Sequence, residues 1–208
     1  MEASSPLEAD LERVRSLWDS ERRKSLTECQ WSLIKSYSNL LYEASFKLNL
    51  VSPADRDLLV SRHIWRALSM GPHIALIPNK TILDVGSGSG IPAIPLKIYH
   101  PMSRFFLVES RRKRANFLKS VIRKLRLKEI TVINSRIEDW DDDVVADVVT
   151  SRSVANPTSL RNWVANHVHK KSMLVCTLNK AGKVGVEGAK DILLESGEEA
   201  MRLGIIPL

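Results

Sequence analysis

The chain is poor in several features that would assign a protein at once. Only two of its 208 residues are cysteine, Cys29 and Cys176. They are too few and too far apart for a disulfide framework, a redox pair or a Cys/His metal centre, so a reduced, cytoplasmic protein without a metal is expected. No apolar run approaches the roughly 18 residues that a membrane span requires. The opening MEASSPLEADLERV is acidic and polar, which is not the pattern of a secretion signal. Internal repeats and low-complexity tracts are missing, so solenoids and long linkers are set aside. Glycine is also scarce, at nine residues, yet three of the nine stand at Gly86, Gly88 and Gly90. That concentration is the most informative feature of the composition.

The rest of the pattern is that of one globular unit with a helical extension. Residues 6–25 carry Leu7, Leu11, Val14, Leu17 and Trp18 at helical spacing. A second helix is expected over 27–48 with Thr27 as its cap, and a third from Ser52 to about Met70. From residue 76 onward short apolar runs alternate with amphipathic stretches. Strands are expected at 81–85, 104–110, 130–135, 146–152 and 172–178, and helices at 91–99, 111–125 and 157–168. Strand–helix alternation with short turns implies an α/β fold with a doubly wound, mostly parallel sheet covered on both faces. The predicted division is a helical extension over 1–75 and a nucleotide-binding unit over 76–208.

The three glycines follow the strand TILDV and precede a helix, which is the geometry of a nucleotide seat. A dinucleotide fold wants G-x-G-x-x-G, whose third glycine would fall at Ile91, and a P-loop needs a Lys-Ser/Thr pair that is absent. The spacing here is G-x-G-x-G after Asp84. It suits S-adenosylmethionine, whose methionyl tail carries no phosphate and needs close backbone approach. The second strand ends in LVES, with Glu109 placed to accept hydrogen bonds from ribose hydroxyls. Ser87 between the glycines and Ser110 after the carboxylate complete the two turns. After the third strand, in SRIEDW, Ile137 can pack on a base and Glu138 or a backbone amide can meet its edge. After the fourth, SRSVANP offers Ser151, Arg152, Ser153 and Asn156 at the strand end where substrate groups gather. His63, on a helix with Leu59, Ile64 and Leu68, is open to either a catalytic or a structural role.

Charge adds a partner. Between Lys97 and Lys128 eleven Lys or Arg face a single acid, Glu109, which exceeds the net charge of +7 for the whole chain. Such a face attracts polyanions. Arg111, Arg112, Lys113, Arg114, Lys119 and Arg123 are the candidate RNA contacts. The five tryptophans fit packing better than base stacking.

The segments ILDVGSGSGIPAIPL, SRRKRANFL, SRIEDW and DVVTSRSVA, with FKLNLVSPADRDLLVSRHIWRAL upstream, resemble the small-subunit ribosomal RNA guanine-N7 methyltransferases, the RsmG or GidB family. Asn49, Leu50, Arg62 and His63 match that family's Asn-Leu and Arg-His segment, and the resemblance covers about residues 40–180. It implies a class I, Rossmann-like methyltransferase that acts with S-adenosylmethionine on N7 of a guanine, in small-subunit ribosomal RNA or the 30S particle and its assembly intermediates. It implies that Gly86 and Ile91 line the cofactor, that Glu109 holds the ribose, that Ile137 and Glu138 flank the adenine, and that Arg152 lies between cofactor and base with Arg136 nearby. No membrane association and a monomer are expected. The chain departs from the family at Arg66 and Ala67, where Asp and Ser are usual, at Ala93 in place of a glycine, and at LNKAG (178–182), a rough match to the family's Leu-Lys-Gly. The segment from 186 onward looks helical, which leaves either a divergent tail or a shortened sheet edge. Other acceptors for the same cofactor, a non-catalytic binding module and, least of all, a nicotinamide-dependent dehydrogenase remain open at this stage.

Overall fold

Alternating apolar positions in the second half of the chain need cover on two faces, and they find it in a seven-stranded sheet. A computed structural model of the protein describes residues 5–20, 26–74, 80–152, 157–178, 188–196 and 199–208. The strands are β1 (Thr81–Val85), β2 (Arg104–Val108), β3 (Ile130–Ile133), β4 (Ala146–Ser151), β5 (Val168–Leu178), β6 (Lys190–Ser196) and β7 (Glu199–Pro207). Their order is β3-β2-β1-β4-β5-β7-β6. β1 to β5 are parallel, whereas β7 runs antiparallel to both β5 and β6. The order reverses beside β1, so a crevice opens at the carboxyl ends of β1 and β4.

The helices are α1 (Pro6–Ser20), α2 (Glu28–Leu48), α3 (Trp65–Met70), α4 (Ala93–Tyr99), α5 (Arg112–Lys124) and α6 (Pro157–Trp163). Thr27 caps α2 as expected, in a reciprocal box with Gln30, and the Gln30 amide also donates to the Ile98 carbonyl at the end of α4. One face of the sheet buries Ile82, Phe105, Leu107, Val148 and Val175 against α4, α5 and the amino-terminal helices. The other buries Leu83, Val85, Val108, Val149 and Leu174 against α6 and the Ile137–Trp140 turn. Trp18 of α1 meets Tyr99 of α4 edge to face at 6.3 Å, and residues of the extension and of the sheet lie in one cluster, so the extension shares the core of the sheet. Among the described residues no helix is long and apolar enough to cross a membrane.

Two expectations are corrected. The carboxy-terminal tail is not helical, and the sheet edge is not shortened: β6 and β7 follow β5 as an antiparallel pair. The tail is rich in helix formers, but pairing with β5 buries Leu203 on one face and Ile206 on the other, and packing overrides propensity. The third helix is also broken. A 3-10 turn at Pro53–Asp55 and a π-helical turn at Val60–Ile64 lead into α3. The Asp10 carboxylate of α1 accepts hydrogen bonds from the Val60 and Ser61 amides at 2.8 and 3.0 Å, which satisfies the start of that π turn. Ser153 and Asn156, residues 21–25 of the first helix and the LNKAG segment beyond Leu178 lie outside the described residues.

Candidate active site

The glycine turn is pinned at both ends. The Gly86 and Ser87 amides donate to the Val108 carbonyl at 2.9 and 3.1 Å, which locks the end of β1 to the end of β2. Ser87 Oγ donates to the Asp84 carbonyl at 3.0 Å. Gly88 and Gly90 have φ of 55° and 92°. A Cβ on Gly90 would lie 2.7 Å from Ile94 Cγ1 and 3.0 Å from Leu118 Cδ2, so this glycine is required by packing. A Cβ on Gly88 would make only ordinary contacts, at 3.6 Å to the Gly86 carbonyl, 3.8 Å to Arg114 and 3.9 Å to Glu109, so packing does not demand this glycine. Ile91, next in the chain, is buried in the main core.

Glu109 is 4% exposed at the tip of β2. One carboxylate oxygen accepts from the Gly88 amide at 2.8 Å and the other from the Arg111 amide at 2.7 Å. A carboxylate offers about four acceptor positions, so Glu109 ties the turn to α5 and retains capacity for hydroxyl donors. The carbonyls of Glu109 and Ser110 are held by the Asn134 side chain at 2.8 and 3.1 Å. Beyond β3, Ile137 is buried in the second cluster while Arg136 and Glu138 are exposed.

Asp84 is 1% exposed. Its Oδ1 accepts from Thr150 Oγ1 at 2.6 Å, and its Oδ2 is buried with no hydrogen-bond partner among the described residues. Burial raises its pKa to about 6, against the hydrogen bond of Thr150 and the charge of Arg152. An orphaned buried acceptor at the foot of a glycine turn, with the Glu109 carboxylate beside it, fits a ligand with a cationic amino group and ribose hydroxyls, which S-adenosylmethionine has.

The second part of the site comes from the extension. Tyr37 of α2 donates to the Ser89 carbonyl at 2.9 Å in a buried bond that braces the glycine turn, and burial raises its pKa. At the end of β4, Arg152 Nη1 lies 3.0 Å from His63 Nδ1, and His63 Nε2 lies 3.4 Å from Asp55 Oδ2. Asp55 also accepts from Ser52 and Arg62, and the Arg62 bond holds its pKa below the usual carboxylate range. Arginine only donates, so His63 Nδ1 must be unprotonated and the proton sits on Nε2. Burial first, and then the Arg152 charge, push the His63 pKa down to about 4 against the pull of Asp55. Arg66, the family departure, acts on both His63 and Arg152 as a further positive charge. Asp10, Tyr37, Asp55 and Thr150 were missed by sequence reasoning. Tyr37 and Thr150 sit at positions where periodicity assigns core.

On α5, Ala115, Leu118 and Val121 are buried, whereas Arg112, Lys113, Lys119 and Arg123, and Arg111 just before the helix, are exposed and Arg114 is half-buried near Gly88.

A mostly parallel sheet reversing beside β1, a cradle after it, a buried carboxylate after β2 and an orphaned acidic oxygen beneath define a Rossmann-like methyltransferase that uses S-adenosylmethionine. Solved structures share the fold: precorrin-6y C5,15-methyltransferase from Geobacter metallireducens GS-15 is 15% identical, covers 70% of this chain and 87% of its own, and has a TM-score of 0.53. MtNAS, as a mutant in complex with S-adenosylmethionine, is 15% identical over 98% of this chain and 86% of its own, with a TM-score of 0.52. The chain belongs to the family of rRNA small subunit methyltransferase G, whose family model matches residues 30–196. The ribosomal RNA small subunit methyltransferase G of Vibrio cholerae serotype O1 is 36% identical over 144 residues, 69% of this chain and 67% of that one. Its counterpart in Chlorobium limicola is 31% identical over 157 residues, 76% and 71% of the two chains.

Proposed function

We propose that the protein methylates N7 of a guanine in small-subunit ribosomal RNA, free or within the 30S particle or its assembly intermediates, as a cytoplasmic monomer. The names of the relatives supply the RNA class. The choice of N7 follows the resemblance to the guanine-N7 methyltransferases, and the observation that supports a positioned acceptor is the guanidinium of Arg152 at the end of β4, held by the neutral His63.

S-adenosylmethionine brings an activated sulfonium methyl group. Guanine N7 has a free lone pair and no proton, so the acceptor needs placement and no general base. Placement alone is worth about 7–11 kcal/mol when the reacting atoms are held near contact. In this reading Asp84 Oδ2 receives the amino group of the donor and Glu109 receives its ribose hydroxyls. Ile137 packs on the adenine and Glu138 meets its edge. Gly86, Ser87, Gly88, Gly90, Ile91 and Ser110 shape the seat. Arg152 bonds guanine O6 or a neighbouring phosphate and leaves the N7 lone pair facing the methyl group. Arg136, exposed after β3, is separated by β2 and β1 from the β4 end that carries Arg152 and serves as a second, more distant cation for the RNA. His63 touches Arg152 and acts as a positioning residue. Arg111, Arg112, Lys113, Arg114, Lys119 and Arg123 meet phosphates, which sets register and not base choice.

The test is methyl transfer from labelled S-adenosylmethionine to small subunits lacking the modification, followed by mapping of the product base. Label on a guanine N7 is expected. Arg152→Ala should lower the rate by about 100-fold, the order of effect that misplacement of a reactant produces, with the fold intact. Label on another atom, or full activity in that variant, refutes the proposal.

A further inference from the structure

Away from the cradle, where the carboxyl end of α5 turns into β3, an open cleft of about 550 Å³ is lined by Lys119, Arg123, Arg126 and Lys128 around an apolar floor that includes Ile122 and Val132. All four cations are exposed, and none of the described lining residues is acidic. The acid next in the chain, Glu129, pairs with Arg104 at 3.6 Å.

The turn that builds this cleft is strained at a charged residue. Arg126 has φ of 52°, in the left-handed region that favours glycine. The Arg126 amide bonds the Arg123 carbonyl at 3.2 Å and the Leu127 amide bonds the Ile122 carbonyl at 3.1 Å, so Arg126 occupies the position where helices most often end in glycine. Keeping an arginine there sacrifices backbone ease for a guanidinium at the rim. Strain of this kind concentrates at functional positions.

The cleft continues a stripe. Arg112, Asn116, Lys119 and Arg123 fall at intervals of four, three and four residues, which is one face of α5. The helix of 13 residues is about 20 Å long at 1.5 Å per residue. Its amino end is tied to Glu109 through the Arg111 amide, so the cleft lies about a helix length from the cradle. Cations spaced by helical turns along a 20 Å track match a repeating anionic backbone and not a single carboxylate.

We propose that the Lys119–Arg123–Arg126–Lys128 cleft is a second RNA clamp, holding the phosphate backbone of the substrate a helix length from the reacting base. The proposal rests on the ribosomal RNA reading above. The clamp sets register while Arg152 handles the base.

The test compares wild-type protein with the double variant Arg126→Gly, Lys128→Gln. Binding to a small-subunit ribosomal RNA fragment is measured over a range of KCl, with cofactor affinity and thermal melting as internal controls. Each lost phosphate contact lowers the log–log salt slope by about 0.7 for single strands and 0.9 for duplex, so a drop of roughly 1.4–1.8 is expected for two contacts. Cofactor affinity should stay constant, and the melting temperature should hold or rise because glycine relieves the left-handed strain. An unchanged slope in a variant whose wild type still binds and methylates the RNA overturns the clamp alone. An unchanged slope on RNA with weakened binding to assembled subunits also overturns it, in favour of a ribosomal protein contact. A wild type that neither binds nor methylates the RNA overturns the ribosomal RNA reading and the clamp with it.

Discussion

Replacing His63 tests whether the amino-terminal helices take part in transfer. His63→Leu removes the only hydrogen-bond acceptor that the described geometry gives Arg152, at 3.0 Å. His63→Asn keeps an acceptor oxygen near the place of Nδ1. A hydrogen bond to a charged group is worth about 1.5–3 kcal/mol. If that free energy appears fully in the placement of the guanidinium, transfer slows by about 10- to 150-fold, at 1.36 kcal/mol per decade. The assay is single-turnover methyl transfer at saturating cofactor, with cofactor affinity measured separately. Leucine should lose the rate at constant affinity, and asparagine should restore most of it. pH gives an independent check. The His63 pKa is lowered from 6.5 to about 4. Between those values the unfolded chain binds a proton that the native state refuses, so stability falls as pH drops from 6.5 toward 4. The Arg152 contact should survive until about pH 4, and the saturated rate should show no acid limb at the ordinary histidine value. Equal rates for the two variants, or an acid limb near 6.5 that vanishes in His63→Asn, would refute the reasoning.

Asp84 titrates in the opposite sense. Its pKa is raised to about 6, so its ionised form costs stability that is regained as pH falls through that value, and a cationic donor group on Oδ2 requires the ionised form. Cofactor affinity should therefore weaken below about pH 6 in the wild type, and Asp84→Asn should be weak at every pH with that dependence abolished, as read by calorimetric titration. Gly88→Ala and Gly90→Ala should separate seat from core. At Gly90 the Cβ contacts of 2.7 and 3.0 Å add overpacking of about 1–3 kcal/mol to left-handed strain of about 1–2 kcal/mol, which thermal melting will detect. At Gly88 only the strain applies to folding, while the added methyl comes to lie 3.8 Å from Arg114 and 3.9 Å from Glu109 where the proposed ribose contact forms, so cofactor affinity should fall more than stability.

The α/β class and the first five strands are legible because each strand buries side chains on both faces and its turns carry glycine or charge. Asp84, the glycines and Glu109 are legible for the same reason: they follow strands directly in the chain. The tail was not, since its Ala, Leu, Glu and Met content favours a helix in isolation, and only β5 makes a strand of it. Contacts between distant segments left no pattern to read. His63 and Arg152 are 89 residues apart, and Tyr37 and Ser89 are 52 apart. Asp10 looked like one more acid on an amphipathic helix, yet it is buried and holds two amides of the π turn.

Those long-range contacts bear on what the extension is for. A helical unit added only to gather RNA would need an exposed cationic face and a shared apolar boundary. Here it also delivers two polar side chains, Tyr37 and His63, to the glycine turn and the end of β4. Asp10 fixes the π turn, the π turn presents His63, and His63 fixes Arg152, while Tyr37 braces the glycine turn from α2. Burial keeps that histidine neutral, so the chain from Asp55 to Arg152 holds one tautomer across the neutral range. In the proposed function the sheet would seat the donor while the extension holds the arginine that places the acceptor, so both sides of the boundary at residues 75 and 76 would build one site.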